Sequence, residues 1–349
     1  MNRKIIGLLA IIPVFFGLAS CEDAEMRELV KDPYEDTQFL MGTVANIKVY
    51  NKDKEEVVAK AFERVKELDA KIDINNEQSE VSKINEQAGI EPVEVSEDIF
   101  QLIEKAYYYS EESDGGFDLT VGPITELWHI GYDDARLPDQ KEIDAALELV
   151  DYELVELNEE EQTVFLPIEE MRLDLGAIAK GFITDEVVKV LGSNGVDTAI
   201  IDLGGNIFVM GNSPRGEEES WNVGIQDPFE ARGEIIGILP VIDRSIVTSG
   251  VYERNLEVDG QLYHHLMNPQ TGYPFDNDLA GVSIVTESSV EGDGLSTAIY
   301  AMGIEKGLEY INKQEKTEAI FVTKDKKVEV SQGYADSFKL SNEDFSFIE

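Results

Sequence analysis

Asp293 and Thr297 lie four residues apart in a segment of small and apolar residues that suits a helix, so a carboxylate and a hydroxyl would share one face. That pair is hard-oxygen chemistry, suited to a Mg²⁺ ion that also touches a phosphate. Asp293 acting only as an N-cap, with Thr297 packed beneath it, accounts for the same spacing. A second candidate is the run Leu173 to Phe182. Apolar residues deliver Asp174, Gly176 and Ala177 turn the backbone, and Lys180 follows at the start of a helix marked by Ile183, Val187, Val190 and Leu191. A tight strand-to-helix turn leaves N–H and C=O groups free to meet a phosphate or a cation. The other reading is a plain turn with a solvated lysine. His265 precedes the turn residues Asn268 to Gly272. It is either a general base, with an unperturbed pKa of about 6.5, or a structural histidine bonded to a carbonyl. His264 would point the other way if this segment is a strand.

Several common chemistries are absent. No glycine is followed by lysine, so there is no P-loop, and no Gly-x-Gly-x-x-Gly opens a helix after a strand. There is no Gly-x-Ser-x-Gly elbow. Three histidines are too few for a histidine-rich metal centre.

The elements that must position these residues mix strands and helices without βαβ alternation, which predicts an α+β fold. A strand is expected at 39–50 and helices at 53–72 and 96–112, the latter with Ser96 as N-cap and Gly115-Gly116 as stop. A helix at 139–150 follows, then strands at 162–168 and 171–175, and the helix after Lys180. Further strands are expected at 198–203, 207–211, 221–226, 235–239, 245–248 and 318–323, with helices at 293–302 and 304–313. The acidic stretch 151–162 reads as a surface loop.

The chain carries 29 Lys+Arg against 71 Asp+Glu, a net charge of −42. That excludes nucleic acid and anionic lipid as electrostatic partners. It also opposes an anionic ligand, so a site for one must be locally less negative or metal-compensated. The N-terminus has its own logic. Arg3 and Lys4 precede an apolar run from Ile5 to Leu18, too short to span a bilayer and typical of a secretory signal. Leu18-Ala19-Ser20-Cys21 reads as a lipobox, and Cys21 is the single cysteine. Once Cys21 is acylated, no disulfide or thiolate site remains. The expected organisation is a lipoprotein signal at 1–20, an acidic tether at 21–36 and a single catalytic domain at 37–349.

Six segments, in order, resemble the ApbE family of FAD:protein FMN transferases: Phe39-Leu-Met-Gly-Thr43, Gly116-Phe-Asp-Leu-Thr-Val-Gly-Pro123, the run Leu173 to Phe182, Asp202-Leu-Gly-Gly-Asn206, His265-Leu-Met-Asn-Pro-Gln-Thr-Gly272 and Asp293-Gly-Leu-Ser-Thr-Ala298. The resemblance covers roughly residues 38–330 and implies a T-fold-related α+β domain. It implies that Asp293 and Thr297 bind Mg²⁺, with the Ala177 carbonyl completing the protein ligands. It implies that Met41, Thr43, Gly116, Phe117, Asp118, Asp174, Lys180 and Leu266 contact FAD, with Asp118 doing so through its carboxylate. Asp202 and Asn206 would hold sheet and turn together. Many relatives carry a flavin-stacking aromatic in the region corresponding to 73–80; here that segment has none, which leaves room for hydrolysis.

The lipobox and the resemblance together predict an exported, lipid-anchored, extracytoplasmic enzyme. FAD is its substrate, FMN passes to a threonine or serine hydroxyl of an exported or membrane-bound flavoprotein, and AMP leaves. His265 would be the base, with Asp293 the alternative. The other readings are a Mg²⁺-dependent FAD diphosphatase, a non-catalytic FAD-binding lipoprotein, or an acidic cation-binding surface lipoprotein. The lipobox yields the first prediction. Cys21→Ser should release the protein from membranes or leave its signal uncut; unchanged fractionation and processing would defeat the lipobox reading.

Overall fold

The computed structural model describes residues 28–348 apart from 217 and 253. Cys21 and the signal segment lie outside the described residues. Among those described, no helix is long and apolar enough to cross a membrane. The fold is α+β, as expected.

Its spine is a nine-stranded sheet: Leu29–Leu40, Thr43–Asn51, Ala199–Leu203, Asn206–Met210, Arg244–Gly250, Leu279–Thr286, Glu318–Thr323, Lys327–Val330 and Ser346–Phe347. The order in space is the order in the chain. Every neighbouring pair is antiparallel except the last, which is parallel. Helices α1 (Glu55–Ile72), α2 (Glu80–Glu86), α3 (Glu97–Glu112), α4 (Gly122–Trp128), α5 (Gln140–Leu147) and α6 (Ala179–Ser193) fall between the second and third strands. Helix α7 (Ser289–Ile311) joins the sixth and seventh.

The two faces of the sheet are covered differently. Ile47, Ile201 and Ile284 join Phe62 and Leu68 of α1, Leu102 of α3, Val187 of α6 and Ile299 of α7 in the larger core. On the other face, Val209, Ile246, Val285 and Ile320 pack against Trp221, Val223, Ile236 and Leu239 of the hairpin Trp221–Gln226/Ile235–Val241. Leu279–Thr286 is buried at every position because it is covered on both sides. Arg64 of α1 ties the helical layer together. It donates to Asp98 of α3 (3.1 and 2.5 Å) and to Glu186 of α6 (3.1 and 2.7 Å).

Several expectations need correction. The stretch 39–50 is a hairpin rather than one strand: Leu40 pairs with Thr43 across Met41 and Gly42, both at positive φ (53° and 66°). This is the type I′ geometry that matches strand twist. Residues 29–36, expected in the tether, are strand, because the hairpin supplies a partner for them. The stretch 171–175 makes only one isolated bridge, Val121 to Arg172, and is otherwise irregular. The acidic stretch contains the short strand Glu156–Asn158, paired with Thr163–Phe165. The break expected between the helices on either side of residue 303 is present, as non-helical backbone at Gly303 (φ 76°) within α7; the start, at Ser289, lies earlier than expected.

Helices α6 and α7 meet at glycine. A Cβ on Gly181 would stand 2.3 Å from the Ser289 carbonyl oxygen and 2.7 Å from Asp293 Cβ. In an isolated helix Gly→Ala gains about 1 kcal/mol. Here the obstacle includes backbone, so Gly181→Ala should instead destabilise by about 1–3 kcal/mol through overpacking. Denaturant melting of the variant tests this, and a stabilised variant would refute the close contact.

Candidate active site

Three groups of residues lie around the strand ends that carry two hairpin tips. The first group is the tips themselves. Met41-Gly42 and Gly204-Gly205 are both two-residue connections, closed by Leu40–Thr43 and Leu203–Asn206 pairs. They are adjacent: a Cβ on Gly204 would strike the Thr43 side chain at 2.5 Å. The Met41 N–H donates to Asp69 Oδ2 (3.3 Å), and the Gly205 N–H to Asp202 Oδ1 (2.8 Å), which fixes both turns. Asp202 thus holds its turn, as expected.

The second group is the α6–α7 contact. Asp293 is only 3% exposed and sits in the second turn of α7, whose N-cap is Ser288. The N-cap reading of Asp293 is therefore excluded. Its Oδ2 accepts the Gly181 N–H (2.7 Å), and its Oδ1 lies 3.8 Å from Lys180 Nζ, an ion pair too long for a direct hydrogen bond. Burial pushes the carboxyl above its ordinary value against the pull of Lys180, the Gly181 N–H and Asn206. Asn206 is 2% exposed, and its Nδ2 makes no hydrogen bond of normal geometry among the described residues. It does more than brace a turn, because it borders the buried carboxylate.

The same contact frees a carbonyl. In a regular helix start the Gly181 N–H would bond the carbonyl four residues back, at Ala177. It is spent on Asp293, and no backbone bond to the Ala177 carbonyl occurs among the described residues. Thr297 follows Asp293 by one turn and is half-buried. A carboxylate, a hydroxyl and a backbone carbonyl are donor types that suit a hard cation. Three or more clustered His, Cys, Asp or Glu side chains are absent among the described residues, so such a cation would depend on the neutral donors.

The third group is the loop after the hairpin Asn255–Val258/Gln261–His264. His264 is structural. Its Nε2 donates to the Phe275 carbonyl (3.0 Å), its Nδ1 accepts the Leu266 N–H (3.3 Å), and its ring packs edge-on against Tyr300. The two bonds select the Nε2–H tautomer. His265 faces a different set of groups. Desolvation, reinforced by Arg254, His264 and Lys180, pushes its pKa down to about 4 rather than the unperturbed value. The imidazole is therefore neutral at neutral pH and chemically able to accept a proton. Leu266 is buried, 7% exposed, with its N–H and C=O both bonded within the loop.

The remaining predicted residues lie on two segments that run side by side. The Asp174 N–H donates to the Leu119 carbonyl (2.9 Å). Asp174 Oδ1 accepts the Gly176 N–H (2.9 Å), and Oδ2 accepts the Thr125 hydroxyl of α4 (2.7 Å). Gly116 touches α7 at Ala301. The Phe117 ring is in the main core, leaving only backbone to face a ligand. Asp118 is engaged internally: Oδ1 takes the Thr120 N–H and hydroxyl (2.7 and 2.6 Å), and Oδ2 the Tyr152 N–H (3.3 Å). Its carboxylate, expected at the ligand, is thus spent on the loop that presents Gly116. Sequence reasoning did not assign a role to Arg254, Asp69 or Asp185. Asp185 carried a signal, since it stands one helical turn beyond Gly181. A cavity of about 580 Å³ lined by Tyr108, Phe182, Asp185, Phe208, Ser288 and Val290 includes none of the predicted residues.

The ApbE family model matches residues 41–321. A protein of Klebsiella pneumoniae named FAD:protein FMN transferase is 38% identical over 298 residues, covering 85% of this chain and 92% of its own. One of the same name from Treponema pallidum is 36% identical, covering 96% and 95%. The crystal structure of the ApbE protein from Thermotoga maritima superposes with a TM-score of 0.79 at 31% identity, over 87% of this chain and 98% of that one. These matches show that the chain belongs to the ApbE family.

Proposed function

We propose that this protein is an exported, lipid-anchored FAD:protein FMN transferase that uses Mg²⁺. The observation that carries the reading is the buried Asp293 carboxylate, one oxygen fixed by the start of α6 and the other directed toward Lys180. The names of the relatives support the reaction class.

In this reading FAD is the substrate and its diphosphate lies at the α6–α7 contact. Asp293, Thr297 and the Ala177 carbonyl would hold Mg²⁺, which when bound supplies positive charge against the diphosphate and the leaving group. Lys180 is the fixed cation of the α6 start and offsets the repulsion that a chain of net charge −42 exerts on an anion. Met41, Thr43, the backbone at Gly116 and Phe117, and Asp174 border the flavin half. A threonine or serine hydroxyl of an acceptor flavoprotein attacks the FMN-side phosphorus. His265 takes the hydroxyl proton, the bond to the AMP oxygen breaks, and AMP departs while FMN stays as a phosphoester. Water in place of the acceptor would give FMN and AMP. The 73–80 segment favours that second reading to the extent that it offers no aromatic, only Ile74, at 46% exposure, as a large apolar surface.

The test is incubation with FAD, Mg²⁺ and an exported flavoprotein, followed by mass spectrometry of the acceptor and an AMP assay. An FMN-sized adduct on a threonine or serine is expected, with AMP in equal amount. AMP without any adduct would select the diphosphatase. Asp293→Ala, or chelation, should lower AMP release by about a hundredfold or more, the cost of a charged ligand worth several kcal/mol. Full activity in excess chelator would sink the metal assignment.

The base assignment has a pH signature. The kcat/KM profile reports the free enzyme. With His265 held near 4, it is deprotonated above that value, so its own contribution to kcat/KM should stay level from neutral pH down to about 5 and fall only near 4, separate from any fall set by Asp293. In His265→Ala that acid step should vanish while FAD still binds, with the rate down by about 10²–10⁴-fold. A wild-type step near 6.5, or an unchanged step in the variant, would assign the base elsewhere.

A further inference from the structure

The α6–α7 contact is reciprocal. From α6, the Gly181 N–H donates to Asp293 of α7 (2.7 Å). One turn along α6, Asp185 returns the interaction to the start of α7. Its Oδ1 accepts the Ser289 N–H (2.7 Å), and its Oδ2 accepts the Val290 N–H (3.0 Å) and the Ser288 hydroxyl (2.7 Å). Ser288 is the N-cap of α7 by position but makes no side-chain cap of its own, because its hydroxyl is turned to Asp185. The first turn of α7 is therefore held by a carboxylate on another helix.

The geometry of that hold bears on Asp293. Ser289 and Asp293 are four residues apart and share a helix face. The Ser289 carbonyl group and Asp293 Cβ supply the α7 atoms nearest a Cβ on Gly181. Asp293 therefore hangs between two anchors, one turn apart. One is the Gly181 N–H on its own carboxylate. The other is Asp185 on the N–H groups at the head of its helix. Ala177 and Lys180, the groups that Asp293 must meet, belong to the α6 side. A slide or rotation of the α7 head would move Asp293 relative to both.

We infer that Asp185 is a positioning residue: by clamping the head of α7 to α6, it sets the Asp293 carboxylate against the Ala177 carbonyl and Lys180, and so tunes metal affinity without touching metal or substrate. This rests on the reading that Asp293 holds Mg²⁺. The competing account is that Asp185 is a helix cap contributing stability alone.

The two accounts differ in what the folded protein binds. The measurements are Mn²⁺ affinity by electron paramagnetic resonance on the full chain, the Mg²⁺ concentration for half-maximal AMP release, and the melting temperature. Asp185→Asn keeps an acceptor oxygen but loses the charge and one acceptor. Both metal constants should rise by up to about tenfold, the low end of what loss of a direct outer partner of a metal ligand costs, because Asp185 acts through the head of α7. The rate at saturating Mg²⁺ should change by less than about threefold. Ser288→Ala removes one of the three bonds and should move both constants in the same direction by a smaller factor, which decides the matter if Asp185→Asn does not fold. Wild-type metal constants in a folded variant whose melting temperature alone has dropped would overturn the inference. Asp293→Ala separates the layers. If it abolishes Mn²⁺ binding while Asp185→Asn binds normally, only the positioning role fails; if Asp293→Ala binds Mn²⁺ like wild type, the metal assignment fails and takes this inference with it.

Discussion

A carboxylate buried between two helices governs much of what surrounds it. Removing such a charge from water costs several kcal/mol after relaxation. Asp293 is given one backbone N–H at a helix start, a lysine at 3.8 Å and a neighbouring amide, and burial still raises its pKa. The contact demands that position 181 have no side chain. It diverts the N–H that would have bonded Ala177, and it places Lys180 on the same helical turn. One close crossing thus accounts for the glycine, the released carbonyl and the cation together.

The sheet delivers the rest by putting turns rather than side chains at the site. Two hairpin tips lie side by side because their strands are neighbours, Ala45 opposite Leu203. One tip contributes Met41 and Thr43; the other brings Asn206 to Asp293. The faces of the sheet are taken up by packing, helices on one and a hairpin on the other, so the strand ends are what remain for ligands. The His265 loop is held in turn by His264, whose bonds to Phe275 and Leu266 leave its neighbour facing Lys180 and Arg254.

Much of the helical layer was legible from periodicity. Helix α1 begins two residues after its expected start and ends where expected, and the break at Gly303 falls between the two expected helices. The misses have physical causes. Leu279–Thr286 has no alternation to detect, since both of its faces are buried. Met41-Gly42 hid a turn inside an apolar run, because methionine gives no sign of accepting positive φ. For the site, spacing alone left Asp293 open between cap and ligand; only its depth within α7 closed the first option. The internal engagement of Asp118 and the role of Asn206 are tertiary facts, set by which loop meets which helix, and no local pattern announces them.

The chain-order sheet has a consequence for how the molecule assembles. From Ala199 onward each strand meets its predecessor across a connection far shorter than the one that precedes Ala199. The hairpin Leu29–Asn51 must instead wait for residues 52–198 before its partner Ala199–Leu203 exists. Closing so long a loop is entropically costly and slow relative to local pairing. A chain emerging N-terminus first would present that hairpin, with one strand edge unpaired, well before the edge could be covered. Lys31 and Pro33, on the strand that stays at the sheet margin, are residues that discourage strand addition. The opposite edge, Thr43–Asn51, has no such guard and relies on the arrival of Ala199.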